Sequence, residues 1–341
     1  MNKKSRFAAM KKNLFLGTII GFMAIFNSCS TDFDIVAPYK EIIVVNGLVD
    51  GLDSVHYVRV GKAFLGEGNV LTMAQQTDSL NYGDILSVRM EQLLGNSVID
   101  TFSLQRTTDV PKDSGTFGFP FQVLYKTTHT LIPDANYRIV VKNNQTQNTA
   151  QSTTKIFKDI NVTSPIATQT VDWASAPLSP VYINFEATAN AKLYDLIIRL
   201  HYRQIDANGV STDKSFDWNF SDKTIVEATR SFTFRKNDFY EAIGRNIYPL
   251  AGVTYRIDSL AYGHAPIEII IMQASEDLAT YYKLQSTNSG LSHDRPTFTT
   301  VQNGLGIFTS RLQHRLYRFP DAKTQNAIDT SAFTRNLDFR F

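Results

Sequence analysis

The sequence predicts a mostly β protein: an immunoglobulin-like β-sandwich followed by a second β-rich domain with one or two short helices. Three observations carry this. Apolar and polar residues alternate with period two along most of the chain. β-branched runs recur at Glu41–Val45 and Ile267–Met272, which suits strands covered on both faces. Gly, Asn, Asp and Pro punctuate these runs at the spacing of a sheet protein.

Seven runs lie in residues 41–164, at 41–49, 54–64, 84–93, 97–105, 117–127, 136–143 and 149–157. No helical period competes with them, and seven short strands at this spacing fit an immunoglobulin-like sandwich. Tyr137, Ile139 and Val141 alternate there with polar neighbours. A boundary is expected at Ser164-Pro165. Residues 165–180, with Pro177 and Pro180 among small residues, read as a linker.

The C-terminal domain, 181–341, is expected to hold strands at 181–188, 193–206, 213–220, 230–235 and 265–274. In the second of these, Tyr194, Leu196, Ile198, Leu200 and Tyr202 share one face, and Asp195, Arg199, His201 and Arg203 the other, the pattern of a half-buried antiparallel strand. Phe232 and Phe234 alternate with polar residues. One helix is expected near 238–247. Another starts after Ser275, an N-cap able to accept a bond from the Asp277 or Leu278 amide, with Glu276 and Asp277 placed to favour the helix dipole. Its stripe of Leu278, Tyr281, Tyr282 and Leu284 reads as core packing.

The amino terminus reads as an export signal over residues 1–28. Lys3, Lys4, Arg6, Lys11 and Lys12 precede an apolar run at 13–26, too short to cross a ~30 Å hydrocarbon core comfortably. The run ends at Phe26-Asn27-Ser28-Cys29-Ser30, which resembles a relaxed bacterial lipobox. Cys29 is the single cysteine, so no internal disulfide and no cysteine zinc cluster can form. A thiol is the side chain that can carry a diacylglycerol thioether, and lipidation of Cys29 accounts for a leftover cysteine in an exported chain. Each buried acyl CH₂ contributes ~0.8 kcal/mol, so two or three chains anchor a protein firmly. Residues 29–40 then form the tether. Ser30-Thr31-Asp32-Phe33-Asp34 resembles a weak surface-export tag of Bacteroidota lipoproteins, which implies display on the cell exterior. The chain has 34 Lys+Arg and 32 Asp+Glu. Without its basic leader it is mildly acidic, which argues against nucleic acid as a partner.

Further resemblance lies in the C-terminal quarter. Ile271 to Leu284 leads to Asp294-Arg295-Pro296 and then to Asn303-Gly304-Leu305-Gly306-Ile307-Phe308, of the form Asn-Gly-x-Gly-x-Phe. Together with Ile43-Val44-Val45-Asn46-Gly47-Leu48-Val49 and Pro133-Asp134-Ala135-Asn136-Tyr137, this resembles the Bacteroidota outer-membrane lipoprotein family described as domain of unknown function 4249. The family's small-domain signature between residues 50 and 100 is not evident. The resemblance implies an outer-membrane location, a β-rich fold and a β-barrel transporter (TonB-dependent) or secretion component as partner. It implies no catalytic residue.

The motif Asn303, Gly304, Gly306 and Phe308 has two readings: a loop shaped for a partner, or a tight turn whose Ile307 and Phe308 plug the core. The second is preferred. No Gly-Lys-Ser/Thr follows, so it is no phosphate loop. None of His56, His129, His201, His264, His293 and His314 falls in a His-Glu-x-x-His, and no Gly-x-Ser-x-Gly occurs. His293-Asp294 reads as a solvated loop pair. The sequence thus predicts no enzyme, no metal and no cofactor. Asp53-Ser54-Val55, Asp78-Ser79-Leu80 and Asp258-Ser259-Leu260 resemble O-glycan acceptor triplets. Phe216, Trp218 and Phe220 alternate along one strand. Their inward packing is the preferred reading, with Trp218 as a glycan-stacking ring the rival. The expected function is that of a non-enzymatic, lipid-anchored outer-membrane scaffold or binding partner. The alternative is a glycan-binding surface lipoprotein for nutrient capture.

Overall fold

The computed structural model describes residues 41–63, 70–166, 168–175, 179–220, 224–225, 231–258, 263–286 and 298–341. They belong to one compact unit with two main cores. Residues 1–40, read above as export signal and tether with Cys29, and His293-Asp294 lie outside the described residues.

The fold is mostly β. The first body holds β1 (Ile43–Asp50), β2 (His56–Lys62), β3 (Leu86–Leu94), β4 (Ser97–Ser103), β5 (Gln105–Thr107), β6 (Leu124–Thr127), β7 (Asn136–Asn143) and β8 (Thr149–Lys155), with short helices α1 (Val70–Gln75) and α2 (Thr77–Leu80) between β2 and β3. Each of the seven runs read from the sequence corresponds to one of these strands. Two sheets enclose the core: β1-β2-β6-β5 and β4-β3-β7-β8. Ile43, Val45, Val49, Val58 and Val60 of one sheet meet Val88, Met90, Tyr137, Ile139 and Val141 of the other. Alternation is what puts them there, since successive side chains leave opposite faces of a strand. β1 is covered more fully on one face: Ile43, Val45 and Val49 are buried, while Asn46 is exposed.

The second body holds β9 (Val162–Ser164), β10 (Pro180–Phe185), β11 (Leu193–Ile205), β12 (Ser211–Asn219), β13 (Thr224–Ile225), β14 (Ser231–Arg235), α3 (Lys236–Asn246), β15 (Thr254–Arg256), β16 (Ile267–Ala274), α4 (Glu276–Ser286), β17 (Gly304–Arg318), α5 (Ala322–Thr330) and β18 (Phe339–Arg340). The five strands and two helices expected here are present. Tyr194, Leu196, Ile198 and Leu200 of β11 face a core completed by β16, by Phe232 and Phe234 of β14, and by Phe239 and Ile243 of α3. Ser275 caps α4 as expected, its Oγ accepting the Leu278 amide at 3.2 Å. Leu278 is buried against Leu193 and Met272, and Tyr281 and Tyr282 pack partly buried beside it.

The expected linker, 165–180, is a correction. Val171 and Trp173 are each 3% exposed within the second core. Trp173 stacks edge-on against Phe234 and Phe239, and Val171 exchanges backbone bonds with Phe319 and Asp321. A tryptophan among prolines is here a packing residue in a segment whose composition reads as loop.

β17 joins the two bodies. Its first half pairs in parallel with β1, from Ile43 opposite Gly304 to Asp50 opposite Arg311. Its second half pairs antiparallel with β16, from Ala274 opposite Arg311 to Ile267 opposite Arg318. One strand therefore closes the edge of the first sandwich and serves as a sheet strand of the second body, changing partners at Arg311. The strands form one sheet of 11, one of 3 and one of 4, a mostly β fold as expected, and the largest sheet runs across the expected boundary.

Candidate functional site

The motif at 303–308 is the entry into β17. Asn303 makes the turn with φ 55°. A Cβ on Gly304 would lie 2.5 Å from the Ile43 carbonyl oxygen, and one on Gly306 (φ 107°) only 2.1 Å from that of Val45. Both glycines are there because β1 runs alongside at close range. Thr299 Oγ1 and the Thr300 amide donate to the Gly306 carbonyl at 3.0 and 3.1 Å. Phe308 is fully buried in the first core, and Ile307 packs on the opposite side with α4. The preferred structural reading of this motif accounts for all four residues; as a partner loop it would have to expose Phe308. Beside it, a groove of about 530 Å³ is lined by Arg138, Gln151, Thr153, Thr299 and Gln302.

Trp218 lies within an aromatic cluster of the second body. Ring centroids stand 4.6 Å from Phe220, 5.2 Å from Phe234 and 6.0 Å from Phe239. The ring is half-buried and already committed to neighbours, as inward packing requires.

The outer face of the second body carries charge instead. Glu268 on β16 is 1% exposed. Its carboxylate accepts from Arg315 Nη1 at 2.6 Å and Tyr317 Oη at 3.2 Å. His201 Nε2 lies at 2.9 Å and Arg199 Nη1 at 3.5 Å. Arg199 also grips Asp217 through two bonds of 2.6 and 2.8 Å. Burial alone would raise the Glu268 pKa, but the hydrogen bonds from His201 and Arg315 outweigh it and hold the carboxyl at about 2. Four strands are cross-linked here, and Glu268 spends its acceptor capacity on them.

The sandwich offers a different kind of surface along its open side. β4 ends its sheet, and among the described residues no strand pairs with its outer edge. Six of its seven residues are exposed. The β3–β4 register shifts between Gln92 and Leu93, so Ile99 is an extra, bulged residue. Beside this edge runs a groove of about 450 Å³ lined by Phe102, Ser103, Gln105, Lys126, Thr127, Thr128 and His129. The His129 ring stacks on Phe102 at 3.8 Å and stands 3.4 Å from Asp100. Beneath, His56 is buried opposite Thr127, and burial pushes its pKa below the ordinary histidine value. A backbone ladder with no described strand on its outer side, next to a groove with a flat ring and several hydroxyl, amide and ammonium groups, is suited to an extended polypeptide: the ladder pairs, and alternate side chains enter the groove. The sequence marks 97–105 as a strand but cannot mark it as an edge, because edge status depends on which strands fail to pair with it.

Among the described residues no group of three or more His, Cys, Asp or Glu side chains could hold a metal ion, and no helix is long and apolar enough to cross a membrane. Of the candidate O-glycan triplets, Ser54 is exposed in the bend between β1 and β2, and Ser79 sits half-buried in α2; Ser259 lies outside the described residues. No family model, no curated protein and no solved structure matches this chain.

Proposed function

We propose that this chain is a non-enzymatic lipoprotein of the outer membrane, held by acyl chains on Cys29 and displayed outward, that binds a protein partner through the open edge of its first sandwich. The partner is a β-barrel component of a transport or secretion complex. The observation that carries the binding reading is β4, an exposed edge with no partner strand among the described residues and a polar groove at its side. The export signal, the single cysteine behind it and the resemblance of the 303–308 region support the location and the partner class.

The test is affinity purification of the tagged full chain from its own detergent-solubilised membranes, beside a Val98→Lys/Ile99→Lys variant. Both positions are about half exposed, so folding stability should stay within ~0.5 kcal/mol. A barrel protein should accompany the unsubstituted chain and be lost with the lysines, which blunt edge pairing. Recovery of no barrel protein overturns the partner reading; equal recovery by both chains overturns the edge.

A further inference from the structure

The stretch between β5 and β6 holds three phenylalanines at alternate positions, and all three stand in solvent: Phe117 is 43% exposed, Phe119 55% and Phe121 63%. Burial of such side chains is the main driving force of folding, so three on one loop ask for a non-aqueous neighbour. The loop is braced. The Lys112 amide donates to the Pro120 carbonyl at 2.8 Å and its ammonium to the Phe117 carbonyl at 3.2 Å. Gln122 Nε2 donates to the carbonyls of Val110 and Pro111, and Gln75 Nε2 to those of Gly115 and Thr116. The Gly118 amide bonds the Ala74 carbonyl of α1 at 2.9 Å. A Cβ on Gly118 would stand 2.6 Å from the Gln75 carbonyl oxygen, so the loop lies flush against the helix.

Two features decide between possible neighbours. First, the bracing bonds occupy carbonyls that water would otherwise solvate. Each backbone group bonded internally is one fewer to strip of water on contact with an apolar medium; an edge meant to pair with protein leaves such groups free. Second, the loop lies at the end of the sandwich where the chain enters. Lys62 at the end of β2 stands opposite Ile43 at the start of β1, and α1 follows from that end. β6 pairs with β2 from Thr127 opposite His56 to Tyr125 opposite Val58, so residues before Leu124 continue toward Lys62. Glu41 is fixed at the same end by Asn148 Nδ2 at 2.6 Å. From Cys29 to Glu41 the chain spans at most ~40 Å even fully extended.

We propose that Phe117, Phe119 and Phe121 form a second membrane contact, inserting their rings into the interfacial zone of the lipid leaflet that holds the acyl anchor. This rests on the Cys29 anchoring reading above. Phenylalanine is among the side chains that interfacial segments bury at the headgroup–acyl boundary. One lipid anchor tethers a domain without orienting it; an anchor plus a rigid apolar tip fixes which end of the sandwich faces the lipid and leaves the opposite end outward.

The test reconstitutes the full chain, purified from its own membranes and carrying Phe121→Trp, into phosphatidylethanolamine–phosphatidylglycerol vesicles with brominated acyl chains. Indole emission of this variant should be quenched several times more strongly than that of the unsubstituted chain, whose Trp173 and Trp218 sit in the second body. Adding Phe117→Ser and Phe119→Ser should remove most of that difference. Absence of extra quenching on protein that floats with the vesicles overturns this inference and leaves the anchoring reading intact. A blue shift without bromine quenching places the loop against a second copy and also overturns it. If the isolated chain neither floats nor carries an acyl mass, the anchoring reading falls; the same chain coupled through its Cys29 thiol to a maleimide lipid then decides the loop separately.

Discussion

β16 and β4 are strands of nearly equal length with opposite fates. Every residue of β16 is buried, including the acid Glu268 and Gln273. Six of seven in β4 are exposed, including Val98 and Ile99. Composition does not separate them cleanly, since both carry β-branched residues and one acid. Position does: β16 has strands on both sides and packing on both faces, whereas β4 has a neighbour on one side only among the described strands. The lesson is that burial makes a polar residue structural and exposure makes an apolar one available. Glu268 is consumed by holding the sheet together; Val98 and Ile99 hold little.

The sharpest way to break this contrast is to cut the same side chain in each strand. Ile269→Ala, at a fully buried site, should cost ~4 kcal/mol through lost transfer energy and the cavity left behind; Ile99→Ala should stay within ~0.5 kcal/mol. Urea unfolding of both variants reads this directly, and comparable losses would refute the contrast. The two acids come next. Glu268→Gln should cost ~2 kcal/mol, because charge-assisted hydrogen bonds become neutral ones while Arg199 and Arg315 stay in place. Asp100→Asn, at a half-exposed pair with His129, should cost less than ~0.5 kcal/mol.

Acid titration sharpens the point further. An unfolded glutamate titrates near ~4.3, and the folded carboxyl of Glu268 near about 2. The folded pKa is the lower, so its stabilisation is fully present above about pH 5 and is lost as pH falls toward 2. Unfolding free energy followed from about pH 6 down to about pH 2.5 should fall less steeply in Glu268→Gln than in the unsubstituted chain; parallel curves would show that the cluster is not what responds to acid. The smallest stability change belongs to Val98→Lys/Ile99→Lys, where circular dichroism melting should hardly move while partner recovery is lost.

Most strands were legible because alternation is a local property. Tyr194, Leu196, Ile198 and Leu200 announce an inner face with no knowledge of what covers them. Ser275 announces a helix start for the same reason. β17 was not legible, although it is the longest strand described, because its inward positions include Ser310, His314 and Arg318. Each reaches a distant partner: Ser310 the Lys155 carbonyl, His314 Asp159 at 2.7 Å, and Arg318 Nη2 the Pro165 carbonyl at 3.1 Å. Inward polar residues break the period, and their partners lie about 150 positions away. α5 escaped notice because it buries only Thr324 and Ile328, too narrow a stripe to stand out; its N-cap Asp321, accepting the Thr324 amide at 2.8 Å, was the available signal. The edge groove was illegible for a related reason: Phe102 and His129 meet only once β4 and β6 have folded back.

The partner change at Arg311 has a bearing on how the molecule comes into being. The ladder joining Ile43 to Gly304 closes a loop of some 260 residues, and such distant pairings form late. A polypeptide emerging amino end first from a ribosome or a translocase has every other strand of its first sandwich in hand while that seam is still open. Closing that seam waits for Gly304–Arg311, some 260 residues after Ile43, and the strand that completes the first sandwich then continues into the sheet of the second body.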